Sequence, residues 1–193
     1  MPTRRSLLSA AAALPVLAGT RLPATAQGVS TAASSSTAYA FSLEGLDGKT
    51  IRLSDHAGRV LMVVNTASSC GFTPQFADLQ TVYARYRERG LTVIGVPSDD
   101  FNQERGTAAD IAAVCQGMYG VAFPMAAKHR VTGREAHPLY RWLASQKPTD
   151  IPTWNFHKFI IGRSGRVFGA FPARVRPTDP RIIALIEAEL ASA

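Results

Sequence analysis

The chain has 193 residues, 46% of them hydrophobic and 18% charged. That is long enough for one domain with a real core and too short for two comfortable ones. The formal charge is +7, but Arg4, Arg5 and Arg21 lie in residues 1–26 with no acid, so the rest carries +4 with its basic residues scattered, and no nucleic-acid footprint stands out.

The N-terminus reads as a targeting segment. Thr3-Arg4-Arg5-Ser6 precedes a short apolar stretch, Leu7 to Ala18, and then Ala24-Thr25-Ala26. This is a positive n-region, an h-region too short to span a bilayer, and a small-x-small cleavage site. The paired arginines resemble a twin-arginine signal, so residues 1–26 are expected to direct export to the periplasm, with cleavage after Ala26. Nothing after residue 26 is long and apolar enough to insert stably in a membrane. Residues 27–37 are small and polar and read as a flexible linker, leaving residues 38–193 as the folded domain.

Within that domain, Tyr39 to Leu43 and Thr50 to Leu53 flank Asp47-Gly48, a hairpin signal. The apolar run at about 60–66 predicts a buried strand, and the segment from Pro74 to residue 89 a helix with Phe76, Leu79, Tyr83 and Tyr86 on one face. Gly90 ends it, and Leu91 to Val96 predicts the next buried strand. Thr107-Ala108-Ala109-Asp110 fits a capping box, opening a helix with Ile111, Val114, Cys115 and Met118 at helical spacing. A short helix holds Leu139, Trp142 and Leu143. Lys158 to Gly162 and Arg166 to Phe171 form a hairpin, and a last helix spans about 179–191. This order predicts an α/β, thioredoxin-like fold: a central mixed β-sheet with helices on both faces.

Cys70 is the most informative residue. It stands in Asn65-Thr66-Ala67-Ser68-Ser69-Cys70-Gly71-Phe72-Thr73-Pro74, in the turn from a buried strand into a helix. There a thiol faces the N–H groups of the first helical turn, a setting that stabilises the reactive thiolate. Cys115 lies 45 residues later, a spacing that is neither Cys-x-x-Cys nor a zinc pattern. An even pair in an oxidising compartment allows a permanent bridge, a transient one, or an inert buried thiol.

Three segments then resemble the glutathione peroxidase family in order and spacing: Asn65 to Pro74, Gly95-Val96-Pro97-Ser98-Asp99-Asp100-Phe101, and Trp154-Asn155-Phe156-His157-Lys158-Phe159. Tyr119-Gly120-Val121-x-Phe123-Pro124 also matches, and the resemblance runs from about Tyr39 to about Leu190. It implies a peroxidase of the cysteine, thiol-dependent, phospholipid-hydroperoxide-like branch. Cys70 would attack hydrogen peroxide or organic and lipid hydroperoxides. Trp154 and Asn155 would direct their N–H groups at the sulfur, and Cys115 would be the resolving cysteine. The family's usual Gln is replaced by Asp100, whose carboxylate either sits protonated beside the sulfur or turns toward a basic group; Gln103 lies near. No bound cofactor is implied. The reductant is an external thiol, a thioredoxin-like protein or glutathione, and the short Pro148–Trp154 segment implies a monomer.

The competing readings are specific. An exported thiol-disulfide oxidoreductase would need a second sulfur where Thr73 stands, and a peroxiredoxin would need Thr three residues before the nucleophile, whereas Thr66 is four before. A peroxide-sensing relay remains open. Copper delivery would want clustered ligands, and His56, His129, His137 and His157 are dispersed along the chain. Arg163, Arg166, Arg174, Arg176 and Arg181 read as a solvated face or as a preference for anionic substrates or lipid headgroups.

Overall fold

The computed structural model describes Met1 and residues 36–192. The expected signal segment and nearly all of the expected linker therefore lie outside the described residues.

A short 3₁₀ turn, Ala38–Ala40, leads into an antiparallel hairpin of β1 (Ser42–Glu44) and β2 (Thr50–Arg52). The main sheet has four strands: β3 (Val60–Thr66), β4 (Leu91–Pro97), β5 (Lys158–Ile161) and β6 (Val167–Phe171), in the order β4-β3-β5-β6. β3 runs parallel to β4, from Val60 opposite Leu91 to Thr66 opposite Pro97, and antiparallel to β5. Every residue of β3 and β4 is buried, as an unbroken β-branched and apolar run covered on both faces requires.

The strand period of two assigns the faces. Val60, Met62 and Val64 meet Phe76, Leu79, Val82 and Tyr86 of α1 (Gln75–Tyr86) and Ile182 and Ile186 of α4 (Pro180–Ala191). Leu61 and Val63 meet Leu139, Trp142 and Leu143 of α3 (Pro138–Gln146). Helices thus cover both sides, the expected thioredoxin-like arrangement. α1 continues as one 3₁₀ turn to Arg89, and Gly90 closes it at φ +110°, a conformation that only glycine adopts without strain.

Two expectations need correction. Tyr83 is only partly buried, its ring edge-on to Phe123, and Val82 takes the deeper place. The capping box of Thr107 with Asp110 forms, but α2 (Ala108–Ala112) then widens into a π-helix over Ala113–Met118. Bonding to i+5 adds a residue to the turn and shifts the helical phase. Ile111 and Cys115 stay buried, while Val114 is half-buried and Met118 is 72% exposed.

Side by side on β5 and just before it stand two buried basic side chains, Lys158 and His157. Lys158 donates through Nζ to the carbonyls of Ala173 (3.3 Å) and Val175 (2.5 Å). Burial pushes its pKa down to about 7, against the charge of Asp78. His157 is buried with neither ring nitrogen hydrogen-bonded among the described residues. Burial, then the charge of Lys158, lowers its pKa to about 4. An unfolded histidine titrates near 6.5, so between about pH 4 and 6.5 the unfolded chain binds more protons. The stability linked to His157 is complete above pH 6.5 and lost as pH falls toward 4, with a ceiling of roughly 3 kcal/mol. Urea unfolding at pH 7 and 4.5 should show a smaller acid-side loss for His157→Phe than for the parent; equal losses would remove His157 as the source.

Candidate active site

The turn between β3 and α1 is built around Thr73. Its Oγ1 donates to the carbonyl of Ala67 (2.9 Å) and accepts from Cys70 N (3.0 Å), while its own N–H donates to the carbonyl of Cys70 (2.9 Å). Thr73 therefore closes the turn from both sides, a role that its place in a Cys-x-x-Cys register concealed. The closure brings Phe72 N to 3.3 Å from Cys70 Sγ, with the N–H donating to sulfur. Cys70 is a free thiol and 7% exposed.

The segment after β4 clasps the same turn from the other side. Ser69 N donates to the carbonyl of Gln103 (3.1 Å), and Ser68 donates through N and Oγ to Glu104 Oε2 (2.8 and 3.0 Å). Glu104 is buried, and burial raises its carboxyl above the ordinary range against the opposing Ser68 donors and Lys128 charge. Neither residue's contact with this turn was anticipated from the sequence; a glutamate three residues before a helix cap carries no local signal for it.

A third arm comes from the approach to β5. Asn65, at the end of β3, donates from Nδ2 to the carbonyl of Trp154 (3.1 Å) and accepts at Oδ1 from His157 N (3.1 Å); its carbonyl accepts from Phe156 N (2.6 Å). These bonds hold Phe156 at φ +64°, the left-handed region that costs a bulky residue on the order of 1–3 kcal/mol. The resulting bend presents Trp154 and Asn155. Trp154 is 41% exposed with its ring tilted against Phe101 at 5.6 Å, and Asn155 is fully buried. Asn155 Nδ2 donates to Gln103 Oε1 (3.0 Å), and its Oδ1 is buried without a partner. Among the described residues the sulfur receives one hydrogen bond, from Phe72 N; the side chains of Trp154 and Asn155 make none to it.

Asp100 takes the second of its two expected courses, toward a basic group. Its Oδ2 accepts from Val131 N (2.6 Å), Thr132 N (2.9 Å) and Thr132 Oγ1 (3.1 Å), and Oδ1 pairs with Arg130 Nε (3.2 Å). The carboxylate is spent on the 130–132 loop. Gln103 is the side chain that meets Asn155, brought there by the tight turn Asp99–Asn102, in which Asn102 sits at φ +58° and donates from N to the carbonyl of Asp99 (2.9 Å). The amide that meets Asn155 thus stands three positions after Asp100 in the sequence.

Cys115 is the second free thiol, buried, with Sγ 3.9 Å from the carbonyl of Ala112. Burial holds its pKa above the ordinary cysteine range. Both sulfurs border the same apolar core. An open cleft of about 400 Å³ lies beside the Cys70 turn, bounded by Gly71, Phe72, Pro74, Gln75, Asp78, Arg174 and Arg176. The rings of His129 and His137 lie tilted against each other with centroids 4.8 Å apart, but among the described residues no cluster of three or more His, Cys, Asp or Glu could hold a metal ion.

Gln103→Ala should slow oxidation of Cys70 by hydrogen peroxide on the order of tenfold, by releasing Asn155. Asp100→Asn should leave that rate within about twofold and instead lower stability by about 1–3 kcal/mol through the 130–132 loop. Stopped-flow oxidation and urea titration of both variants separate the two roles, and the reverse ranking would contradict the assignment.

The glutathione peroxidase family profile matches residues 38–144. The hydroperoxy fatty acid reductase gpx1 of Synechocystis sp. is 42% identical over 159 residues, covering 77% of this chain and 94% of that protein. The thioredoxin/glutathione peroxidase BtuE of Escherichia coli is 34% identical over 173 residues, covering 77% and 94%. A crystal structure of Trgpx in its apo form superposes with a TM-score of 0.65 at 33% identity, over 81% of this chain and 96% of that one. The chain belongs to the glutathione peroxidase family and has its thioredoxin-like fold.

Proposed function

We propose that this glutathione peroxidase-like enzyme reduces hydrogen peroxide and organic or lipid hydroperoxides at Cys70, with Cys115 as the resolving thiol. The observation that carries the reading is the Phe72 N–H aimed at a free, nearly buried sulfur. A hydrogen bond to sulfur favours its anionic form, the nucleophile. The thiolate attacks one oxygen of the hydroperoxide; an S–O bond forms as the O–O bond breaks, and the departing alkoxide or hydroxide takes up a proton. Cys70 becomes a sulfenic acid and the peroxide is reduced by two electrons. In this reading the Trp154 indole and the Asn155 amide, held by Gln103, act as neutral donors toward the departing oxygen.

Cys115 then attacks the Cys70 sulfur, forming a disulfide and releasing water. A disulfide needs the two Cα atoms within about 7 Å, and in this reading the Ala108–Met118 helix opens to bring Cys115 to Cys70. Its make-up favours that opening: five α-helical residues followed by a π turn that leaves Met118 exposed. Opening also removes the burial that holds Cys115 protonated. An external dithiol restores both cysteines. A thioredoxin-like reductant is supported by the name of the E. coli relative, and lipid substrates by that of the cyanobacterial one. We further place the enzyme in the periplasm as a monomer, the former on the Arg4-Arg5 signal; replacing both arginines by lysine should retain it in the cytoplasm on fractionation.

Stopped-flow tryptophan fluorescence on mixing reduced protein with peroxide tests the central step. A rapid change lost in Cys70→Ser, with both thiols disappearing together in the parent, is expected. Cys115→Ser should keep the first step and lose turnover with a dithiol reductant. One thiol surviving in the parent while Cys70 overoxidises would overturn the resolving role.

A further inference from the structure

The stretch from Ala173 to Pro177 alternates: Ala173, Val175 and Pro177 are buried, and Arg174 and Arg176 are exposed. Its backbone is fixed from beneath. The buried Lys158 ammonium binds the carbonyls of both Ala173 and Val175, and Gln75 Nε2 donates to Ala173 O (2.6 Å). Arg174 therefore stands between two anchored peptide groups, with its side chain on the rim of the cleft that Gly71 and Phe72 also line.

The two arginines differ in what they have left to offer. Arg176 is committed to Asp78 through a two-pronged pair, Nε to Oδ2 and Nη2 to Oδ1, both 2.8 Å. Arg174 has no ion-pair or hydrogen-bond partner among the described residues. The cleft is thus bordered by one uncompensated guanidinium, by the apolar Phe72 and Pro74, and by Gly71, the residue that follows the reactive sulfur. One free fork-shaped donor matches one carboxylate.

We propose that Arg174 is a specificity-determining residue that selects hydroperoxides carrying a carboxylate, holding the acid group at the rim while the peroxide reaches Cys70. Hydroperoxy fatty acids in free-acid form are the substrate class that fits: one anionic head and an apolar chain. Lys158 is the positioning residue beneath it. The proposal rests on the reading of Cys70 as the peroxide-reacting sulfur.

The test is single-turnover oxidation of the reduced full chain by hydrogen peroxide, by a C18 hydroperoxy fatty acid below its micelle threshold, and by that acid's methyl ester. The parent should oxidise faster with the acid than with the ester. An exposed pair of this kind supports a preference of about fivefold. Arg174→Ala should bring the acid-to-ester ratio to near one, and Arg174→Glu should take it below one. Arg166→Ala removes an equal charge elsewhere on the surface and should leave the ratio at the parental value. A ratio near one in the parent, a ratio untouched by Arg174→Ala, or an equal drop in Arg166→Ala would each overturn the proposal. Failure of the parent to react even with hydrogen peroxide would instead overturn the peroxidase reading, so the two failures are distinguishable.

Discussion

β3 is hydrogen-bonded on both edges and buried along its whole length, and everything chemical in this molecule hangs from its C-terminal end. The turn that carries Cys70 leaves from Thr66. One residue earlier, Asn65 uses its amide and its carbonyl to fix the arm that presents Trp154 and Asn155. A strand held this firmly cannot slip by a residue without turning its apolar faces out. The registry between the sulfur and the amides opposite it is therefore inherited from core packing rather than arranged locally.

Around that end the protein concentrates groups that are costly to bury. Glu104 holds Ser68 with one carboxylate oxygen and leaves the other unpaired; Asn155 leaves its carbonyl oxygen unpaired; Phe156 adopts a left-handed backbone. Each is destabilising alone. Together they tie the Cys70 turn to the segment after β4 and to the arm that carries Trp154 and Asn155, while the carboxylate of Asp100 is bound into the 130–132 loop. The same pattern appears at Lys158, a buried amine whose Nζ donates to the carbonyls of Ala173 and Val175.

The elements with strong periodicity were legible in the sequence: β3 and β4 as unbroken apolar runs, the helix after Pro74, the Thr107–Asp110 cap and the hairpin around Ser164. The position of Cys70 at a strand-to-helix turn was equally plain. What could not be read was side-chain direction in the irregular segments. Asp100 and Gln103 lie three residues apart in a loop, and only the backbone conformation at Asn102 decides which of them faces Asn155. The exposure of Met118 was hidden for a related reason, since a π turn shifts the helical phase and the spacing of Ile111, Val114, Cys115 and Met118 does not reveal it. Lys158, at the start of an apolar strand, was legible as a strand residue but not as the anchor of a segment fifteen residues on.

The claim beneath all of this is that Cys70, not the deeper Cys115, is where the first oxygen lands. Trapping with a sulfenic acid-specific dione, followed by peptide mapping, tests it in the Cys115→Ser protein after one equivalent of hydroperoxide. The account predicts a single adduct on the peptide containing Cys70, and none when Cys70→Ser is treated in the same way. An adduct on Cys115 in the Cys70→Ser protein, formed as fast as the first, or no adduct in either, would contradict it.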